Sequence, residues 1–284
     1  MLPTLALNTA SLAGIILVVF WVTNWMAQHI VIEVTNETPL SRSPLIGTLA
    51  VAAYFTVMLA AIVFFFQNFP TTIKMLLMLV FTIVTYRFFL FLFEIARHSA
   101  TKLSTRLLAV TFGCTITALW TLYPNWLTIN IAAALVAVTM LLLLQTIPLR
   151  TMTVVAVGVT IYDVVAVFST GQMIAVAGAA KDLPMMLIIP QSFDLASTPA
   201  QMLGLGDIVI PGAIIMAALK KNIRNVYPFT LLGYFIGLTT AIGVVYLTRF
   251  PQPATIYLVP GVLFGLVWAA HRVGTLKETF AAEK

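Results

Sequence analysis

Nine long apolar segments divide the chain, and this feature limits what it can fold into more than any other. A helix that crosses the hydrocarbon core of a membrane needs roughly 20 consecutive apolar residues. The segments that reach or approach this length are residues 4–27, 44–66, 73–93, 105–123, 127–146, 151–174, 207–219, 227–248 and 254–270. The seventh is short unless it begins near Met202. The pattern predicts an all-α integral membrane protein with nine transmembrane helices.

The composition excludes several classes of protein. Of the 284 residues, 61% are hydrophobic and only 8% are charged, whereas a soluble domain carries about a quarter charged residues. A soluble enzyme, a nucleic-acid-binding protein and a disordered chain are therefore excluded. The single cysteine and the three scattered histidines predict neither an intrachain disulfide nor a metal site.

The basic residues predict the orientation of the chain in the membrane. Nine spans place three of them on the N-terminal side and eleven on the other side, with Arg87 inside the third span. Because basic residues stay in the cytoplasm, we expect the N-terminus outside, the C-terminus inside, and the loop of residues 175–206 outside. The three are Lys74, Lys181 and Arg249; the eleven are Arg42, Arg97, Lys102, Arg106, Arg150, Lys220, Lys221, Arg224, Arg272, Lys277 and Lys284.

Two acidic residues, Asp163 and Asp207, lie within apolar segments rather than in or beside loops. Asp163 follows Arg150 by 13 residues and Asp207 precedes Lys220 by 13 residues, on consecutive antiparallel spans. At 1.5 Å per residue, both lie roughly 20 Å from the cytoplasmic edge, and the two carboxyl groups can meet. An acid inside a membrane is costly, and it is therefore a candidate functional residue.

Two carboxyl groups in contact share a proton, because both cannot ionise cheaply in oil. Such a pair can take a proton from water and donate one to a carbonyl oxygen, which is the chemistry of peptide hydrolysis without a covalent intermediate. The same acids also suit a proton-coupled transporter, a channel, or a structural ion pair with a residue such as Arg87. A membrane scaffold would need neither acid. Position and depth alone leave these alternatives open.

Two glycines precede Asp207, and a proline at the start of the last span lies near the predicted depth of both acids. Gly204 and Gly206 precede Asp207 and allow another backbone to approach closely, although loose packing at a helix end is an equally ordinary explanation. Pro253 lies four residues after Arg249, near the predicted depth of the aspartates, and is also typical of a plain helix start.

At these residues the sequence resembles the presenilin and signal peptide peptidase family of intramembrane aspartyl proteases, and the signal peptide peptidase branch in particular. The family motif Tyr-Asp matches Tyr162-Asp163, and Gly-x-Gly-Asp matches Gly204-Leu205-Gly206-Asp207. The motif Pro-Ala-Leu corresponds to Pro253-Ala254-Thr255 after Gln252, with threonine in place of leucine. The segment Pro184–Gln191 also resembles a loop of that branch.

The resemblance implies a presenilin-like fold and an aspartic endopeptidase that cleaves transmembrane helices or remnant signal peptides. It implies Asp163 and Asp207 as the catalytic pair, and no metal or organic cofactor. The residues implied to bind substrate or shape the site are Tyr162, Gly204, Leu205, Gly206, Gln252, Pro253, Ala254 and Thr255. The signal peptide peptidase orientation agrees with the charge distribution and implies type II substrates, whose N-terminus is cytoplasmic.

We therefore expect one polytopic membrane domain over residues 1–284, with a scaffold of five helices in 1–150. The catalytic helices six to nine and the loop 175–206 fall in 151–284. The short chain suggests a microbial cell membrane, and homo-oligomers are left open. Between Pro184 and Pro190, the stretch Met185–Ile189 is apolar. It fits either a strand that pairs with an unwound substrate or a re-entrant membrane segment.

Overall fold

The computed structural model describes residues 2–29, 70–97, 103–169, 183–192, 194–197 and 199–280. These residues form nine α-helices, one π-helical segment and one hairpin of two strands. The elements are α1 (Leu2–His29), α2 (Pro70–Arg97), α3 (Leu103–Leu122), α4 (Trp126–Leu144), α5 (Leu149–Val164) with its π-helical continuation (Val165–Ser169), β1 (Met186–Pro190), β2 (Pro199–Gly204), α6 (Gly206–Leu219), α7 (Val226–Thr248), α8 (Thr255–Val273) and α9 (Leu276–Thr279).

Seven of the described helices are long and apolar enough to cross a membrane, and they correspond to seven of the nine predicted spans. The seventh predicted span is the apolar helix α6, which has 14 residues and begins at Gly206 rather than near Met202. The second predicted span, residues 44–66, lies outside the described residues. The chain is thus a multi-pass integral membrane protein, and the count of nine spans stays a prediction.

The described residues fall into two compact units. The first contains α1 to α4, the hairpin and the start of α6 up to Ile208. The second contains α5 with its π-helical continuation, α6 from Val209 onward, and α7 to α9.

Turn residues and caps separate the helices. Asn125 lies between α3 and α4, and its Oδ1 accepts hydrogen bonds from the backbone N–H groups of Leu127 and Thr128 at 3.0 and 3.1 Å. This is the ordinary use of asparagine as an N-cap. Helix α8 ends at Gly274, whose φ of 75° lies in the left-handed region that a helix C-terminus often requires.

Threonine hydroxyls inside the helices are mostly satisfied locally. Thr23, Thr153 and Thr230 each donate to the carbonyl four residues earlier, at 2.7 to 2.9 Å. A hydroxyl in hydrocarbon is costly without a partner, and this local hydrogen bond removes the cost without a second helix.

The closest helix pair in the second unit is α7 with α8, which contact each other through glycines. Both helices carry a Gly-x-x-x-Gly spacing, a pattern that lets the backbones of membrane helices approach closely. A Cβ atom added at any of the four glycines would collide with a carbonyl oxygen of the other helix. The colliding pairs are Gly233 with Gly261, Gly261 with Gly233, Gly237 with Tyr257, and Gly265 with Phe229.

We predict that Gly261→Ala lowers the free energy of unfolding by about 1–3 kcal/mol, the usual cost of an extra methyl group in a tightly packed contact. The matched control is Gly243→Ala in α7, where an added Cβ meets no atom within 4 Å. Thermal unfolding in detergent would measure both variants. Equal melting temperatures for Gly261→Ala and the wild type would contradict the proposed backbone contact.

Candidate active site

Asp163 is a buried acid near the C-terminal end of α5. Its side chain is 8% exposed, and the helix around it is apolar enough to cross a membrane. The Oγ1 hydroxyl of Thr255 donates a hydrogen bond of 2.7 Å to Oδ2 of Asp163. This contact joins two residues 92 positions apart within the second unit. The first motif and the third motif therefore meet.

The start of α8 explains why Thr255 can reach the acid. Thr255 is the first residue of α8 and is 1% exposed. Pro253 and Ala254 precede it and are buried, and their carbonyl groups accept the first hydrogen bonds of the helix. The carboxyl group of Asp163 consequently lies at the N-terminal end of α8, where the helix dipole favours negative charge.

The backbone widens directly after Asp163. Residues Val165–Ser169 continue α5 as a π-helical segment, an irregularity that is frequent at functional sites. Tyr162 and Gln252 are both half-buried. Both residues belong to the predicted set and lie near the site. The structure shows no hydrogen bond that defines a role for either of them.

Asp207, unlike Asp163, lies at the N-terminus of its own helix. It is the second residue of α6 and lies in the first turn of that helix, where a carboxylate is favoured by the helix dipole. Pro211, four residues later and inside α6, has no N–H with which to complete the helical hydrogen bond to the carbonyl of Asp207. The first turn of α6 is therefore held less tightly by its own backbone than an ordinary helical turn.

The two motif glycines before Asp207 are not equivalent. A Cβ atom at Gly204 would lie 3.1 Å from Oδ2 of Asp207, whereas a Cβ at Gly206 meets no atom within 4 Å. Because Gly204 has no side chain, the carboxyl group of Asp207 can occupy its present position. Leu205, between them, donates its backbone N–H to the carbonyl of Met185 at 2.8 Å and ties this segment to the hairpin.

Asp163 belongs to the second unit and Asp207 to the first. The structure thus brings Thr255 to Asp163 and Gly204 to Asp207. The predicted pairing of the two aspartates with each other stays a prediction.

The hairpin ends directly beside Asp207. Strands β1 and β2 pair antiparallel, with Ile188 opposite Met202 and Met186 opposite Gly204. Residues 186–189 of the apolar stretch Met185–Ile189 thus lie in strand β1, whose partner in this structure is β2 of the same chain. The predicted alternative, in which this stretch pairs with an unwound substrate, stays a prediction. The residues of β1 are all buried.

Asn130 of α4 occupies the outer edge of β1. Its Nδ2 donates to the carbonyl of Ile188 and its Oδ1 accepts the N–H of Ile188, both at 2.7 Å. Because residues along an antiparallel strand point their N–H and C=O groups alternately to either side, Ile188 faces Asn130 rather than β2. Its neighbour Met202 then also points its backbone groups away from β1. The edge of β2 at Met202 and Gly204 is consequently the outer edge of the sheet.

Sequence reasoning missed two of these features. Asn130 is a lone amide in an apolar span, and nothing in the sequence near it indicates which strand edge it would meet. The glycine contact between α7 and α8 was visible as two Gly-x-x-x-Gly spacings, a recognised signal for close helix packing.

Comparison with known proteins identifies the family of this chain. The model of the signal peptide peptidase family matches residues 10–284, which is nearly the whole chain. The chain belongs to the signal peptide peptidase family. The resemblance inferred from the three motifs is confirmed.

Individual relatives in this family cover less of the chain. Human signal peptide peptidase is 35% identical over 136 residues, which are 45% of this chain and 36% of that protein. Intramembrane protease 2 of Caenorhabditis elegans is 31% identical over 163 residues, 49% of this chain and 34% of that protein. The chain therefore spans about a third of the length of these curated relatives.

A solved structure supports the fold across the whole chain. The structure of a presenilin family intramembrane aspartate protease superposes with a TM-score of 0.65 at 17% identity, covering 95% of this chain and 98% of that one. At this level of identity the likeness concerns the fold. The predicted presenilin-like fold is confirmed.

Proposed function

We propose that this protein is an intramembrane aspartyl protease in which Asp163 and Asp207 activate water against a peptide bond. The observation that carries the proposal is the buried carboxyl group of Asp163, held by Thr255 inside an apolar helix. A buried acid within an apolar span is costly to maintain, and Asp163 matches the first motif of the family to which the chain belongs.

The proposed reaction uses one carboxyl group as a base and the other as an acid. The carboxylate takes a proton from water while the water oxygen bonds to the peptide carbon, and the carboxylic acid protonates the carbonyl oxygen. In the second step the carboxyl group that took the water proton donates it to the amide nitrogen, one hydroxyl of the tetrahedral intermediate returns its proton to the other carboxylate, and the carbon–nitrogen bond breaks. The two acids return to sharing one proton, so that no cofactor enters the cycle.

The hairpin favours a protease over a proton-coupled transporter that would use the same acids. A helical substrate hides its peptide bonds within its own hydrogen bonds, so it must be unwound and held extended before attack. An open strand edge offers main-chain partners to such a segment. Proton transport has no need for a strand edge next to Asp207.

We place the substrate strand on the outer edge of β2 rather than on β1. The outer edge of β1 is occupied by Asn130 at Ile188, whereas Met202 is 45% exposed and directs its backbone groups away from β1. An extended peptide that pairs with Met202 and Gly204 would run toward Asp207, which is three residues beyond Gly204.

The substrate class follows from the family and the charge distribution. We propose transmembrane segments or remnant signal peptides in a lipid bilayer, of type II orientation, with the N-terminus of the enzyme outside and its C-terminus in the cytoplasm. In this proposal the catalytic part is residues 151–284, supported by the helices of 1–150. The proposal includes a microbial cell membrane as the location and a homo-oligomer as the assembly.

Asp163→Asn and Asp207→Asn should each lower cleavage of a labelled transmembrane peptide by at least about 100-fold, because each removes one proton-transfer group. Asp194→Asn is the matched control, since Asp194 is an exposed acid in the hairpin loop. Mass spectrometry of the products in liposomes measures the effect. Full cleavage by either motif variant, or proton flux without products, would overturn the proposed function.

Gly204→Ala should lower kcat roughly tenfold, because the added methyl group forces Oδ2 of Asp207 to shift by a few tenths of an ångström. Gly206→Ala should retain activity, since its Cβ meets no atom within 4 Å. Steady-state kinetics of the two variants measure the difference. Equal losses in both would show that room for the Asp207 carboxyl group is not the reason for glycine at position 204.

Met202→Pro should lower kcat/KM roughly tenfold, because proline removes the outward N–H without touching the β1–β2 ladder. Met202→Leu is the control that keeps the N–H. Leu187→Pro should instead break the hairpin itself, because the N–H of Leu187 points toward β2 and proline removes that N–H. Kinetics with the same labelled peptide measure all three, and wild-type kinetics for Met202→Pro would rule out pairing at this edge.

A further inference from the structure

The hydrogen bond between Thr255 and Asp163 is unusual among the threonines of this chain. Most threonine hydroxyls in the described helices donate to a carbonyl one turn earlier on their own helix, as at Thr160 and Thr239. Thr255 is the first residue of α8, so the carbonyl four residues earlier lies outside the helix. Its hydroxyl is directed to another helix instead, and its partner there is a carboxyl group.

The contact has the geometry of a well-formed hydrogen bond. The distance of 2.7 Å between Oγ1 of Thr255 and Oδ2 of Asp163 is the usual one for a hydroxyl donor. Both side chains are buried, with Thr255 1% and Asp163 8% exposed. A buried hydrogen bond of this kind restricts the rotation of the carboxyl group, because turning it would leave both polar groups without a partner.

The contact also distinguishes the two oxygens of Asp163. Oδ2 accepts the hydroxyl hydrogen of Thr255. Part of the capacity of this oxygen to accept hydrogen bonds from a reacting group is therefore already used. A hydroxyl can donate to this oxygen in the same way whether the acid is ionised or protonated at the other oxygen. The bond can therefore persist while Asp163 gains and loses a proton.

We propose that Thr255 is a positioning residue that holds Oδ2 of Asp163 and leaves Oδ1 as the oxygen that exchanges a proton during hydrolysis. This inference rests on the proposed protease function. It gives a chemical reason for threonine at a position where the resemblance led us to expect leucine, because an apolar side chain there has no hydrogen to donate.

The test compares side chains that differ at one group. Thr255→Val keeps the shape and removes the hydroxyl, and it should lower kcat by about tenfold to a hundredfold with KM nearly unchanged. Thr255→Ser keeps the hydroxyl and should stay within about threefold of the wild type, well short of the loss for valine. A purely structural role would give the opposite order, because valine replaces the buried methyl group that serine lacks.

The experiment uses purified full-length protein in liposomes with a labelled transmembrane peptide, alongside Asp163→Asn. Thermal unfolding of each variant accompanies the kinetics. If Thr255→Val does not fold, Thr255→Ser against Thr255→Ala makes the same comparison in a smaller side chain. The proposal is supported if, among these variants, only Thr255→Ser keeps activity near that of the wild type.

Two failures are distinguishable. If the wild type cleaves the peptide, Asp163→Asn does not, and Thr255→Val matches the wild type, then the positioning role is wrong and the protease function stands. If the wild type and Asp163→Asn give the same products or none, the proposed function itself fails.

Discussion

The structure depends on holding two carboxyl groups in apolar segments without prohibitive cost. Each lies at a helix N-terminus, where the helix dipole favours negative charge by up to about 2 kcal/mol. Asp207 lies in the first turn of its own helix. Asp163 lies against the first residue of α8 and accepts a hydroxyl hydrogen there. Both aspartates thus lie where a helix dipole favours negative charge, one on its own helix and the other against a neighbouring helix.

The hairpin gives the chain an edge at which main-chain groups can be shared. Asn130 supplies an amide to β1 in the way a third strand would, and this leaves β2 as the outer strand. Strand β2 leads within two residues to α6, whose second residue is Asp207. A peptide held along β2 would therefore be positioned by the same backbone that positions an acid.

Much of this arrangement could be predicted from the sequence. Seven spans and both motif aspartates followed from apolar runs and from the rarity of acids within them. The strand in Met185–Ile189 was one of two open alternatives, since a short apolar run fits a strand or a buried membrane segment equally. The role of Asn130 was out of reach, because its contact with Ile188 joins residues 58 positions apart. Thr255 was identified by its place in a motif, whereas its hydrogen bond depends on how α8 begins.

The contact of α7 with α8 has a consequence for how the site can vary. The two helices meet through main-chain atoms at four glycines, and main-chain atoms have no rotamers with which to adjust. The separation of the helices is therefore invariant to most side-chain exchanges, and so is the location of residue 255 within the second unit. The surroundings of Asp163 are then changed most simply by replacing the side chain at position 255, because the backbone that carries it is held in place.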